Sequence, residues 1–387
     1  MRSLFSLLLL LSFFSACQSQ QPDKSVALGA QQFEQYLPLL EGKKVGLVVN
    51  QTSMIGSTHL VDTLLALDID IEKIFAPEHG FRGSAGAGEH IENGTDSKTG
   101  LPIISLYGSH KKPTNEDFSG IDVVIFDIQD VGVRFYTYIS TMHYVMEACA
   151  EQGKKCIVLD RPNPNGYYVA GPVLDTAYQS FVGMHPIPIV HGLTIGELAK
   201  MINGEHWLAK GATCDLTVSI MTNYKHSMRY SLPIKPSPNL PNDRSIALYP
   251  SLCLLEPTII SIGRGTEFPF QVTGYPDSTY GSFKFKPMPN PGAPYPKHKN
   301  KTCYGEDLRN TPTQTGFTLK WLIFYYNKYK DDGFFTSPGF FDKLAGNNML
   351  RKQIEEGKSE EEIKKSWAPE LDKYIILRNK YLLYPDE

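Results

Sequence analysis

Charge of one sign, paired cysteines and nucleotide-binding loops are all scarce in this chain. Its 38 Lys and Arg nearly balance 41 Asp and Glu, for a formal net charge of −3. No basic footprint therefore marks a nucleic-acid partner. Only six cysteines occur in 387 residues and none forms a CxxC pair. Beyond Cys17 they are Cys149, Cys156, Cys214, Cys253 and Cys303, an odd number, with Cys149 and Cys156 in apolar contexts. That pattern predicts buried free thiols, with no disulfide framework and no zinc site. The first strand is not followed by GxGxxG, and GxxxxGK[ST], HExxH and GxSxG are absent. Dinucleotide chemistry, P-loop chemistry, zinc proteolysis and serine-esterase chemistry all lack support, and no cofactor is expected. The glycine-rich stretch Gly83–Gly88 has no phosphate-loop Lys.

One long apolar run is present, Leu4 to Phe14, behind Arg2. It is too short to span a bilayer as a mature helix and reads as the core of an export signal. Phe14-Ser15-Ala16-Cys17 follows, then polar Gln18 to Gln21. Small residues directly before a Cys resemble a bacterial lipobox, although Phe14 stands where Leu is more usual. On this reading residues 1–17 are a signal segment and Cys17 becomes the lipidated first residue of a periplasmic, membrane-anchored protein of the cell envelope. The alternative is an ordinary cleaved signal peptide or a simple anchor.

Hydrophobic residues make up 41% and charged residues 20%, an ordinary globular balance. Apolar runs at Val45–Val49, Ile71–Ala76, Ile103–Leu106, Asp122–Phe126 and Cys156–Leu159 alternate with helical spacing over Thr58–Leu67 and Phe135–Gln152. Continuous apolar strands separated by helices predict an α/β fold with a mostly parallel, two-sided sheet. Thr194 with Glu197 predicts a capped helix to Asn203. Beyond Gly166 the pattern loosens. Phe268–Lys301 reads as long Pro/Gly-rich loops, and Phe317–Tyr329, Phe341–Glu356 and a segment opened by Ser359 read as helices. The chain divides into an α/β domain over residues 24–230 and a smaller α+β domain over 231–387. The 21 Tyr and 20 Phe suit either packing or an amphipathic ligand such as a sugar.

In such sheets ligands bind at the carboxyl ends of strands. Several strands here end in polar residues, so Asn50, Glu78, Asp130, Arg134 and Asp160 are expected to converge on one crevice. Phe75-Ala76-Pro77-Glu78-His79-Gly80-Phe81-Arg82-Gly83 is the richest of these ends. Glu78 beside His79 is the candidate acid or base, with Arg82 either a substrate contact or its structural partner. Asp127-Ile128-Gln129-Asp130 leads to Arg134, Tyr136 and Tyr138. Arg134 could grip a carboxylate in bidentate fashion or pair internally with an Asp. Tyr136 could stack on a ring or simply pack. Asp160 and Asn163, in a loop stiffened by Pro162 and Pro164, could bond hydroxyls or order a turn. His191 before Gly192 reads as a ligand contact or a satisfied core histidine. Glu256 and Glu267, near Arg264, supply the second carboxylate that glycoside hydrolysis needs, and spacing does not rank them.

Taken in order, several segments resemble one bacterial family. They are Gly46–Ser53, Pro77–Gly83, Phe126–Tyr138, Asp160–Pro164, His191–Thr194, Pro236-Ser237-Pro238-Asn239-Leu240-Pro241, the Glu256 and Arg264 segments, and the tail from Ser366-Trp367 to Tyr384. The family is that of exo-acting β-N-acetylmuramidases of the NamZ type. The resemblance spans nearly the whole mature chain. It implies a Rossmann-like amino-terminal domain, a smaller carboxy-terminal domain and a cleft between them. It also implies release of terminal N-acetylmuramic acid from peptidoglycan fragments (muropeptides and MurNAc-GlcNAc), with the glutamate of the Pro-Glu-His-Gly motif, Glu78, as a catalytic group. Glu256, Glu267 and Asp130 remain open as its partner. Asn239 joins the expected substrate contacts, and Arg82, Arg134 and Arg264 are the candidates for the lactyl carboxylate. A muropeptide-binding lipoprotein without catalysis and a hydrolase of a different amino sugar are the competing readings.

Overall fold

Val45–Val49 (β1) forms the axis of the protein because every residue in it is apolar or glycine and all five are buried. A computed structural model describes residues 25–78, 80–81, 93–310, 316–329 and 332–387; Cys17, His79 and Arg82 lie outside them. On one side β1 pairs in parallel with Ile71–Ala76 (β2), which pairs in turn with Pro102–Ser105 (β4), and the short Gly94–Thr95 (β3) closes that edge antiparallel to β4. On the other side β1 pairs in parallel with Val123–Asp127 (β5), followed by Lys155–Leu159 (β6) and Asp215–Ser219 (β7). The sheet order is therefore β7-β6-β5-β1-β2-β4-β3. Strand order reverses between β1 and β5, and a doubly wound sheet opens its ligand crevice at such a switch point. Asn50 and Asp127 mark the two strand ends there, and Glu78 follows the neighbouring β2.

The expected strands at 45–49 and 71–76 coincide with the observed ones. The edge strand β7 was not foreseen, since its mixed, mostly half-buried pattern lacks the apolar run of a central strand. Among the helices, Leu60–Ala66 (α1) follows β1 and Tyr138–Gln152 (α2) follows β5. Helix α2 ends at Gly153 with a φ of 61°, a left-handed cap that glycine adopts without steric cost. It starts at Tyr138 rather than at Phe135, so Arg134 lies in a loop and does not open the helix. Arg134 N donates to Ile189 O, which ties the loop to a neighbouring segment instead. Ile195–Gly204 (α3) carries the expected capping box: Thr194 N donates to Glu197 Oε2 and Glu197 N to Thr194 Oγ1.

Asp243–Leu252 (α4) begins the second half. The Phe268–Lys301 segment is not all loop. Val272–Tyr275 (β8) and Phe283–Phe285 (β9) pair antiparallel with either side of Cys303–Asp307 (β10), around buried Val272, Phe285 and Cys303. Lys320–Lys328 (α5) follows. The expected helix over 341–356 is two helices, Pro338–Ala345 (α6) and Met349–Glu355 (α7), broken at Gly346 with a φ of 83°. Glu360–Arg378 (α8) is capped by Ser359 and Glu362. A single apolar core joins the halves, running from Phe126 and Met142 to Leu254, Leu319, Phe341 and Tyr374. Cys149, Cys156, Cys214, Cys253 and Cys303 are buried and free. Among the described residues no helix is long and apolar enough to cross a membrane.

Candidate active site

Pro77 stops β2, and a tight turn in which Gly80 N donates to Pro77 O carries the chain past Glu78. Among the described residues the half-buried Glu78 carboxyl accepts from Tyr107 Oη (3.2 Å) at Oε1 and from Thr137 Oγ1 (3.1 Å) at Oε2. Thr137 is the N-cap residue of α2, yet its hydroxyl caps no backbone amide. It is thereby free to hold Glu78. Tyr138 Oη donates to Glu78 O (3.3 Å), and Tyr136 Oη to Pro236 O (2.8 Å). Glu78, Tyr136, Asn239, Glu256, Arg264 and Phe270 are among the residues lining one cleft of about 170 Å³. Arg264 Nε donates to Glu256 Oε1 at 2.5 Å and the guanidinium stacks 5.1 Å from the Phe270 ring centre. Asn239 Nδ2 donates to Gly292 O (2.6 Å) and pins the far rim.

The cleft thus gathers Glu78, Glu256, Tyr136, Asn239 and Arg264 from four distant stretches of sequence. Among the described candidates it does not gather Glu267, Arg134, Asp160, Asn163, His191, Asn50 or Asp130. Glu267 is exposed and is absent from the lining of this cleft, so of the two second-carboxyl candidates Glu256 alone is in place. Arg134 is fully buried and donates to Pro172 O, Ile187 O and Leu344 O. Burial without a facing carboxylate lowers its pKa to about 9. It is a bolt between the loop after β5 and helix α6, not a grip for a substrate anion. The buried Asp–Arg pair is Asp127 with Arg161, bidentate at 2.6 and 2.8 Å, rather than a pair made by Asp130 and Arg134.

Asp160 is also structural. It accepts from Arg161 N, Thr194 Oγ1, Gly196 N and Tyr384 Oη, which leaves it no capacity for a ligand. Burial pushes its pKa up to about 6, with nearby Glu197 adding to the rise and the donors offsetting part of it. Asn163 gives Nδ2 to Leu193 O and takes Asn165 N at Oδ1. Its amide sits where a Cβ on Gly132 would stand, 2.1 Å away, so that approach requires glycine. His191 is buried, with Nδ1 accepting from Leu193 N and Nε2 3.8 Å from Asp130 Oδ2. Asn50 and Asp130 are buried beside Tyr138 rather than on the cleft wall. Asn50 takes both Thr52 donors at Oδ1, and Asp130 takes Gly132 N at Oδ2.

No sequence signal marks Tyr107, Thr137 and Lys297, which support the two carboxyls of the cleft. Tyr107 and Thr137 had no distinguishing motif of their own, although Thr137 falls inside Arg134–Tyr138. Lys297 sits among prolines and glycines without any spacing signal. It is half-buried, with Nζ donating to the carbonyls of Glu256, Thr258 and Ile260 and lying 3.4 Å from Leu255 O. Burial lowers its pKa to about 8. It thus fastens the segment that presents Glu256.

The class of protein so defined is a doubly wound α/β domain joined to a smaller domain, with Glu78 and Glu256 on one cleft. The amino-terminal model of exo-β-N-acetylmuramidase NamZ matches residues 45–244, and the carboxy-terminal model matches residues 247–384. The chain belongs to that family. It is 42% identical over 375 residues to the peptidoglycan β-N-acetylmuramidase NamZ of Bacillus subtilis, covering 90% of this chain and 89% of that one. Two crystal structures of DUF1343-family proteins from Bacteroides fragilis share the fold. One has a TM-score of 0.87 and 47% identity, covering 94% of this chain and 100% of that chain. The other has a TM-score of 0.81 and 31% identity, covering 93% and 99%.

Proposed function

We propose that this protein is an exo-acting glycosidase that releases terminal N-acetylmuramic acid from the non-reducing end of peptidoglycan fragments. Membership of the NamZ family supports the substrate class. The observation that carries the chemistry is the presence of Glu78 and Glu256 on one cleft. Glu78, steadied by two hydroxyl donors, protonates the glycosidic oxygen as the bond to the anomeric carbon breaks. Glu256, held by Arg264, supplies negative charge where the sugar ring becomes cationic, and water then adds to the anomeric carbon and returns a proton to Glu78. Arg264 gives only its Nε hydrogen to Glu256 among the described contacts. Its remaining N–H groups suit the lactyl carboxylate that distinguishes muramic acid from glucosamine.

The protein from Lys24 onward should release chromophore from a chromogenic β-N-acetylmuramide and leave the matching β-N-acetylglucosaminide intact. Cleavage of the glucosaminide alone would transfer the specificity to another amino sugar. Release from neither, with measurable muropeptide binding, would make this a capture protein. Cys17 is proposed as a lipid anchor that holds the enzyme at a membrane of the cell envelope. Intact-mass analysis of the membrane-extracted protein would show a diacylglyceryl-modified Cys17 at the new amino terminus; an unmodified terminus would remove the anchor.

A further inference from the structure

A second hollow, of about 400 Å³, adjoins the catalytic cleft and shares Glu256, Arg264 and Phe340 with it. Its outer rim is the 292–297 segment, Gly292-Ala293-Pro294-Tyr295-Pro296-Lys297. Tyr295 is 92% exposed, the most exposed of the protein's large hydrophobic side chains among the described residues. A bare tyrosine ring at the rim of a hollow with a polar inner wall offers an apolar face with a polar tip to an amphipathic ligand.

The ring is not on a loose loop. Pro294 and Pro296 fix the backbone on either side of it. Asn290 and Ala293 exchange backbone hydrogen bonds, and Asn239, from the catalytic cleft, holds Gly292 O. A Cβ on Gly265 would meet Pro296 at 2.7 Å, so the rim packs directly against the segment that carries Arg264. Lys297, the next residue, is bonded to the carbonyls on both sides of Glu256. The backbone that carries Tyr295 is therefore fixed relative to the catalytic wall before any ligand arrives, which lowers the entropy cost of binding there.

The lining is two-sided. Tyr295, Phe340 and Pro294 offer apolar faces, whereas Glu256 and Arg264 offer donors and acceptors. A pyranose has the same division, with C–H groups on its faces and polar groups around its edge. We propose that this hollow is the subsite for the amino sugar on the leaving-group side of the scissile bond, with Tyr295 as its stacking platform. The inference rests on the glycosidase reading above. It makes Tyr295 a specificity-determining residue that acts through binding of the sugar and takes no part in bond breaking.

The test compares two substrates. One is the β-linked N-acetylmuramyl–N-acetylglucosamine disaccharide, whose second ring reaches Tyr295. The other is methyl β-N-acetylmuramide, whose leaving group is too small to reach it. Tyr295→Ala should lower kcat/KM on the disaccharide by about tenfold, mainly through KM, the scale expected for uncovering one aromatic face. Hydrolysis of the methyl glycoside should be unchanged, and Tyr295→Phe should behave as the wild type on both. Equal kinetics of Tyr295→Ala and wild type on the disaccharide would overturn the subsite. So would an equal loss on both substrates. Failure of the wild type on both substrates would instead overturn the glycosidase reading itself.

Discussion

Glu78→Gln should leave the protein folded and reduce turnover of the muramide by about a hundred- to ten-thousand-fold, the usual contribution of a general acid or base. Glutamine has nearly the same shape and keeps one oxygen to accept from Tyr107 or Thr137, so the cleft should persist. It has no proton to give the leaving oxygen. The loss should appear in kcat, with KM little changed, because the substitution removes a transition-state interaction rather than ground-state binding. Thermal unfolding measured beside the kinetics separates lost chemistry from lost structure. A variant with wild-type kcat would sink the assignment of Glu78. An unfolded variant would show that the carboxylate is needed to order the Tyr107–Thr137 contacts, and Glu78→Asp, which keeps the acid on a shorter arm, would then carry the kinetic test.

Arg161→Met should destabilise the protein by about 3–5 kcal/mol, the cost of leaving one member of a buried ion pair alone. Asp127 is wholly buried at the end of β5, and Arg161 binds both of its oxygens. Removing the guanidinium strands a carboxylate in the wall of the switch-point crevice. The double variant Asp127→Asn with Arg161→Met should recover part of the loss, because no uncompensated charge then remains. Chemical denaturation of the three proteins checks this. Equal stability of Arg161→Met and wild type would mean that water reaches Asp127 and that the pair contributes little.

Much of the framework was legible in advance because it depends on local chemistry. Buried parallel strands favour apolar runs; Val45–Val49 is one throughout and Ile71–Ala76 ends in one at Ile74–Ala76, with clear stops at Asn50 and Pro77. The capping box at Thr194 and Glu197 is likewise a property of four consecutive residues. The short strands β8 and β9 were hidden because each becomes a strand only by pairing with Cys303–Asp307. Neither is long enough to show a period of its own.

Polar residues at strand ends were the harder problem. Glu78, Arg134, Asp160 and Asn163 are alike in sequence: each follows a buried strand and stands near Pro or Gly. Their fates differ because of partners remote along the chain. Tyr384 comes from the far end of the chain to occupy Asp160. Leu344, on α6, takes a hydrogen from Arg134. Glu256 and Glu267 were equivalent by spacing, yet the fold turns one into the cleft beside Arg264 and leaves the other in solvent.

By itself, then, the sequence determined the doubly wound framework, the family and the position of Glu78 after β2, since these follow from hydrophobic runs, turn residues and contiguous motifs. Only the tertiary structure decided which strand-end groups are free for a ligand, that Glu256 faces the same cleft, and that Tyr295 stands bare beside it. Whether a strand-end polar side chain reaches the cleft or is taken up by the interior depends on which partners the rest of the chain brings to it. That condition is set by contacts between residues up to 224 positions apart, as between Asp160 and Tyr384, and no local pattern records it.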